Sequence, residues 1–184
     1  MEIKISTQQI LNFLLILSYI IFFGVCFEAG GFICNAIYIM MTDPIPTHKF
    51  WAEFDLTSVY HYDAGHFLVI TFFMSITAIM KALIFYLIIK ILHDKKLDML
   101  QPFTKDVVRF VFSVAYLTLG IGLFSSWGAK YSAWLISLGV EMPQIQVLRL
   151  AGADVWFFMS ITLFVIAQIF KRGIEIQSEN ELTI

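Results

Sequence analysis

The chain has 184 residues, of which 59% are hydrophobic and only 14% charged, and its formal net charge is −2. Its mean hydropathy is +0.81, whereas soluble domains are about half apolar and about a quarter charged. This composition excludes an ordinary soluble domain. The charge balance shows no basic patch, so we expect no direct binding of nucleic acid.

Four apolar stretches are each long enough to cross the hydrocarbon core of a bilayer, which requires about 20 helical residues. In chain order they cover residues 10–41, 66–92, 107–138 and 151–170. The first is longer than the roughly 7–15 apolar residues of a cleaved signal peptide, so we expect a permanent span. The sequence predicts one all-α transmembrane domain over 1–184, a four-helix bundle whose first and third spans extend beyond the bilayer on the outer side.

Basic residues are divided unequally between the two sides of the predicted bundle, and this division predicts its orientation. One side has Lys4, Lys90, Lys95, Lys96, Lys105, Arg109, Lys171 and Arg172. The other side has only Lys49, Lys130 and Arg149. We therefore expect both termini in the cytoplasm, an extracytoplasmic loop over 42–65 that folds as a cap, and a cytoplasmic tail over 171–184. Thr104 is the expected N-cap of the third span.

The first span contains a carboxylate, Glu28, at a depth where a charge is costly unless it is paired or hydrated. Gly24, Glu28, Gly31 and Asn35 follow one another at intervals of four, three and four, which places them on one helix face. Small residues at this spacing allow a second helix to approach closely. We expect this stripe to face the interior of the bundle.

The second span carries the opposite charge, Lys81, and the simplest prediction is an ion pair with Glu28. Lys81 lies ~15 Å and Glu28 ~25 Å from the cytoplasmic helix ends, so the long lysine side chain or a water must cover the difference. Tyr116 and Ser160 fall near the level of Lys81 as alternative partners, and Asp154 falls near that of Glu28.

Three interpretations of these polar residues remain open. They fix helix register inside the bundle, or Glu28, Lys81 and Asp154 line a hydrated cavity for an ion or small ligand. In the third interpretation, Glu28 is solvated at the outer interface.

No residue pattern predicts a catalytic site or a cofactor. A haem between spans needs two axial ligands on different helices, and only the second span contains histidine. The motif HYDAGH places His61, Asp63 and His66 together as weak candidates for a metal site, against the alternative of solvated loop residues. We expect no resident metal, no cofactor and no enzymatic activity.

The second half of the chain resembles a family of small bacterial four-span membrane proteins catalogued as a domain of unknown function. The resemblance covers about residues 92–184 and rests on a Pro-Phe-Ser/Thr element before the third span and on a tail of characteristic pattern. The matching positions are Pro102, Phe103, Thr104, Phe170, Gly173, Ile176, Glu179, Asn180, Leu182 and Thr183.

The resemblance implies a multi-pass protein of the bacterial inner membrane. Because members of such families are often encoded beside small helix-turn-helix regulators, it also implies a cytoplasmic protein partner. The candidate partner-binding residues are Pro102, Phe103, Gly173, Glu179, Asn180 and Leu182. The tail alternatively folds back on its own bundle, where the alternation in IEIQ suits a short strand.

The sequence as a whole favours a sensor or regulatory membrane partner of another protein. The alternative is a small transporter or ion-conducting protein that uses Glu28 and Lys81. Four helices enclose little space, so this alternative also predicts a homo-oligomer.

Overall fold

The computed structural model describes residues 7–42, 55–94 and 104–181, with residues 180 and 181 described by backbone alone. These residues form five α helices: α1 (Thr7–Met41), α2 (Thr57–Tyr62), α3 (Ala64–His93), α4 (Lys105–Ser137) and α5 (Ala153–Glu181). The helices α1, α3, α4 and α5 are long and apolar enough to cross a membrane. The predicted all-α membrane bundle with four spans is confirmed.

The four spans pack in the order in which they follow one another, each antiparallel to the next. α1 packs on α3, α3 on α4 and α4 on α5, while the short α2 packs on α3. Within the described residues, no Cα atom of α1 lies within 8 Å of one in α4 or α5. α1 and α5 are therefore the flanking helices of the bundle. We call the end with α2 and the α4–α5 connection the loop end, and the opposite end the tail end.

The hydrophobic core is largest at the loop end. It combines buried residues of the four helices α1 to α4, of the segment 138–152 and of the position before α2: Ala29, Phe32, Ala36, Leu56, Val59, Phe67, Ile70, Met74, Ala78, Leu135, Val140, Leu148 and Leu150. Among the described residues, the two smaller clusters nearer the tail end are built from α3, α4 and α5 alone. α1 thus joins the core only through its second half.

The connecting segment, residues 138–152, folds back into the bundle instead of lying over its end. α4 ends at Ser137, and Gly139, two residues later, has a left-handed φ of 85°. Val140 N–H donates to Leu135 O at 3.2 Å. This is the hydrogen bond of a Schellman helix end. Farther along, Leu150 is fully buried, and a Cβ at Gly128 would lie only 2.8 Å from Leu150 Cδ1. Gly128 lies about 13 Å along α4 from the end of that helix, so the connecting segment runs back along α4 by about this distance.

The face of α1 that packs in the bundle differs from the predicted one. The buried residues are Ser18, Ala29, Phe32 and Ala36, whereas Gly24 is exposed and a Cβ built there meets nothing within 4 Å. The prediction that a stripe from Gly24 to Asn35 faces the interior is therefore wrong. The two alanines are small enough for the helix contact, and Phe32 between them fills the core. Polar residues of the predicted stripe border this face.

The last helix is longer than the predicted span. α5 continues to Glu181, so IEIQ is helical and the prediction of a short strand is wrong. Arg172 Nη1 donates to Glu175 Oε2 at 2.9 Å, an i,i+3 pair that favours the helix. The predicted N-cap of α4 is confirmed, because Val107 N–H donates to Thr104 Oγ1 at 3.3 Å. Pro102, Phe103 and Leu182, and the side chain of Asn180, lie outside the described residues.

The close approach at Gly128 generates a first prediction. Replacing Gly128 with Val forces side-chain atoms against Leu150 and against Phe73 Cβ, which is 3.1 Å from the built Cβ. We expect a loss of about 1–3 kcal/mol in unfolding free energy, the usual range for overpacking. Gly24→Ala is the matched control and loses no stability. Thermal unfolding in detergent measures both, and equal stability of G128V and wild type would contradict the described packing.

Candidate functional site

Glu28 is paired with Arg149 rather than with Lys81. Arg149 Nε donates to Glu28 Oε1 at 2.7 Å, which links the connecting segment to α1. The described residues contain no ion pair within 4 Å between Glu28 and Lys81, so the predicted direct pair is wrong. The Glu28 side chain is 23% exposed and that of Arg149 is 56% exposed. The pair therefore lies at the edge of the bundle.

Arg149 occupies a backbone position that usually belongs to glycine. Its φ is 58°, while Arg149 N–H donates to Gln146 O and Leu150 N–H donates to Ile145 O. These two hydrogen bonds form a second Schellman motif, with Arg149 in the left-handed position. Such a conformation costs a residue with a Cβ roughly 1–2 kcal/mol. It is held by the fully buried side chains on either side, Leu148 and Leu150.

Arg149 also provides the partner for Lys81. Lys81 Nζ donates to the main-chain oxygen of Arg149 at 3.3 Å and lies 5.8 Å from the ring centre of Trp156, near the start of α5. Both Glu28 and Arg149 are close enough to act electrostatically on the lysine. Glu28, Lys81, Arg149 and Trp156 are called the charged cluster below. It joins α1, α3, the connecting segment and α5 at one place.

Contacts to Arg149 replace the predicted direct Glu28–Lys81 pair. The Arg149 side chain donates to the Glu28 carboxylate, and the Arg149 carbonyl oxygen accepts from the Lys81 amine. One residue of the connecting segment thus contacts both charged side chains, although only Glu28 gains an oppositely charged partner.

The charged cluster contains two cationic side chains and one carboxylate, so it carries a surplus positive charge. Asp154, predicted at the level of Glu28, does not join it. Asp154 is exposed and precedes Trp156 by two residues, which places it about 200° around α5 from that ring. Asn35 is half-buried two turns beyond Glu28 on α1, nearer the loop end.

The alternative partners predicted for Lys81 lie elsewhere. Tyr116 is 63% exposed and packs edge-on against Phe164, with ring centres 5.0 Å apart. Ser160 is fully buried and donates its hydroxyl to Ala115 O at 3.0 Å, which fixes α5 on α4. The prediction that either residue pairs with Lys81 is wrong.

Two of the three metal candidates, Asp63 and His66, build the start of α3. The Asp63 carboxylate caps the helix by accepting from His66 N–H at 3.0 Å. His66 Nδ1 lies 2.6 Å from the hydroxyl of Tyr131, inside a group of aromatic rings that includes Trp134. His61 is exposed. Across residues 7–42, 55–94 and 104–179, no group of three or more His, Cys, Asp or Glu side chains is placed to hold a metal ion.

Two of the candidate partner-binding residues, Gly173 and Glu179, lie on the last turns of α5. Phe170 is the final residue of α5 that packs against a core cluster. Beyond it, none of residues 171–179 is buried, and Ile176 is 47% exposed. We call residues 171–181 the helical extension.

A family model described as a protein of unknown function, DUF2975, matches residues 35–184. The chain belongs to the DUF2975 family. This confirms the resemblance to a catalogued domain of unknown function and extends it well before residue 92. In this DUF2975 protein, Lys81, Arg149 and Trp156 lie inside the matched range and Glu28 lies before it. No curated protein and no solved structure matches the chain.

Sequence reasoning missed two members of the charged cluster, Arg149 and Trp156. Arg149 enters that reasoning only through the count of basic residues that predicts orientation. The available signal was a lone arginine between two leucines in VLRLAG, directly before an apolar span. An arginine in such apolar surroundings requires a partner, and Glu28 is an intramembrane carboxylate.

The left-handed backbone at Arg149 allows the ion pair to be tested separately from the turn. Arg149→Ala removes the pair and keeps the unfavourable backbone conformation, whereas Arg149→Gly removes both. We expect R149G to be more stable than R149A by about 1 kcal/mol. Thermal unfolding in detergent measures the difference, and identical stabilities would contradict the assigned turn.

The ion pair itself is tested by a double-mutant cycle of Glu28→Gln and Arg149→Gly. We expect a coupling energy of about 0.5–3 kcal/mol, because E28Q costs less once its partner is absent. Asp154→Asn is the matched control, since it neutralises a carboxylate outside the cluster, and its effect is additive with R149G. Additivity of E28Q with R149G would show that the pair contributes no stability.

Proposed function

We propose that this protein is a regulatory membrane partner, without enzymatic activity, that presents the helical extension of α5 to another protein. The observation that carries the proposal is the continuation of α5 beyond Phe170 as an unbroken helix with no buried residue between 171 and 179. A tail that capped its own bundle would bury an apolar face against it. The exposed helix instead provides a surface on which a partner can pack.

The orientation that we propose puts this extension in the cytoplasm. Basic residues are concentrated at the tail end, in the loop between α3 and α4 and around Lys171 and Arg172. Cytoplasmic loops carry such an excess, so both termini are cytoplasmic and the loop end faces outwards. The family resemblance adds a bacterial inner membrane as the location.

The partner that we propose is a cytoplasmic helix-turn-helix regulator, on the strength of the family resemblance. The extension offers mixed charges, with Arg172 and Glu175 paired, beside the exposed Ile176. Gly173 and Glu179 lie on this surface. Pro102, Phe103, Asn180 and Leu182 remain candidate partner-binding residues on the strength of the family resemblance alone.

The charged cluster supplies the input for such a regulator. α1 joins the core only through its second half, and Arg149 fixes that half to the connecting segment. Arg149 precedes the first residue of α5 by four positions, and Lys81 contacts Trp156 in the first turns of that helix. A stimulus that separates Glu28 from Arg149 therefore changes how α1 and α5 are held, and α5 carries the change to the extension.

The experiment is purification of the tagged full-length protein from its native membrane in mild detergent, followed by native mass spectrometry. We expect a stoichiometric soluble protein that is lost from a variant ending at Gly173. Ile176→Glu reduces its occupancy at least about tenfold, whereas Ser178→Glu adds the same charge on the opposite helix face and leaves occupancy within about twofold.

Two outcomes would contradict the regulatory proposal. One is a soluble partner that remains bound after truncation at Gly173. The other is a homo-oligomer without a protein partner, together with an ion or solute flux that E28Q and K81M abolish while the truncation leaves it intact. That second outcome would favour the transporter alternative.

A further inference from the structure

Lys81 is a half-buried cation whose described contacts include no carboxylate within ion-pair distance. Its amine donates to one carbonyl oxygen, that of Arg149, and faces the Trp156 ring. An ammonium group has three donors, so this geometry uses one of them for a hydrogen bond. A cation at this level of a membrane bundle is costly unless an anion or polar groups compensate it.

Arg149 leaves further donors beside the lysine. Its Nε binds Glu28, and the side chain remains 56% exposed. Because a guanidinium has five N–H donors, the terminal nitrogens are available to a second acceptor. Glu28 neutralises one of the two cations, so the cluster keeps one positive charge that a bound anion could balance.

The place of the cluster in the fold determines which anions can reach it. Trp156 is the fourth residue of α5, so the cluster lies about one turn from the loop-end start of a span. Tryptophan at such a position is typical of the headgroup level of a bilayer. A lipid phosphate at the level marked by Trp156 would lie within reach of Lys81, which faces that ring, and of Arg149, which accepts from Lys81.

The two helices on either side of the cluster, α1 and α5, do not pack directly against each other. α1 and α5 approach no closer than 8 Å between Cα atoms, among the described residues, although the cluster joins them through side chains. Both helices also carry exposed apolar side chains close to the cluster in sequence: Phe27, before Glu28, is 74% exposed and Val155, before Trp156, is 58% exposed. An anion with an apolar body suits a surplus positive charge on a bundle with such an apolar surface.

We propose that Lys81 and Arg149 bind the phosphate of an anionic phospholipid whose acyl chains lie between α1 and α5. Trp156 packs beside the headgroup, and Glu28 holds the arginine in place. The site is distinct from the helical extension and stands independently of the regulatory role. The ligand class proposed for this site is a lipid with a net negative headgroup.

The test is a lipid titration of the delipidated full-length protein in mild detergent, followed by native mass spectrometry. The probes are dioleoyl phosphatidylglycerol and dioleoyl phosphatidylcholine, which share acyl chains and differ in net charge. We expect wild type to bind phosphatidylglycerol at least about tenfold more tightly, a difference of about 1.4 kcal/mol. Ten millimolar inorganic phosphate, roughly physiological in scale, leaves that binding within about twofold, because apolar contacts hold the lipid.

Two lysine variants and a control locate the site. Lys81→Met lowers the affinity for phosphatidylglycerol about tenfold, whereas Lys81→Arg keeps it within about threefold because the charge remains. Lys130→Met is the matched control, since it removes an exposed cation near the same end of the bundle and leaves affinity within about twofold. Thermal unfolding of each variant verifies the fold.

Several results would overturn the proposal. These are equal affinity of wild type for the two lipids, equal losses in K81M and K130M, or loss in K81R as large as that in K81M. Displacement of the lipid by inorganic phosphate would instead define a site for soluble anions. Equal affinity of wild type for the two lipids overturns the proposal even if K81M does not fold.

Discussion

The hydrogen-bonded ion pair between Arg149 and Glu28 is the contact on which the arrangement of the loop end depends. It joins residues 121 positions apart and connects the segment before α5 to a helix that α5 does not otherwise approach. The same arginine offers its carbonyl oxygen to Lys81. Without the arginine side chain, Glu28 would lose the partner that the bundle provides, and the connecting segment would no longer be tied to α1 by an ion pair.

The ion pair between Arg149 and Glu28 comes with an unfavourable backbone conformation at Arg149. A glycine would adopt the left-handed backbone of Arg149 at lower cost, as Gly139 does at the end of α4. Burial of Leu148 and Leu150 fixes the turn. Gly128 has no side chain, and this leaves room on α4 for Leu150 to pack against the helix. Residues 148–150 of the connecting segment thus combine buried core side chains, a strained backbone and an ion pair.

Sequence reasoning reached the features that depend on local composition. Hydropathy and length gave the four spans, and Thr104 gave the start of α4, because those signals are contained in neighbouring residues. The pairing of Glu28 was missed because it requires the connecting segment to fold back by several turns, which no local pattern encodes. The packed face of α1 was assigned to glycines, although alanines with Phe32 between them make the contact. The strand predicted after Gly173 is helical instead, because an alternation of apolar and polar residues over only four positions is too short to favour a strand over the continuation of α5.

The central claim is that Arg149 fastens the connecting segment to α1 through Glu28. Its most direct measurement is the distance distribution between spin labels at exposed positions 37 on α1 and 141 on the segment, after both native cysteines, Cys26 and Cys34, are replaced by alanine. Pulsed electron resonance on protein in nanodiscs should give one narrow distance for wild type and a clearly broader distribution for E28Q. Equally narrow distributions at the same distance would show that the segment is held by its apolar contacts alone, and would contradict the role given to the ion pair.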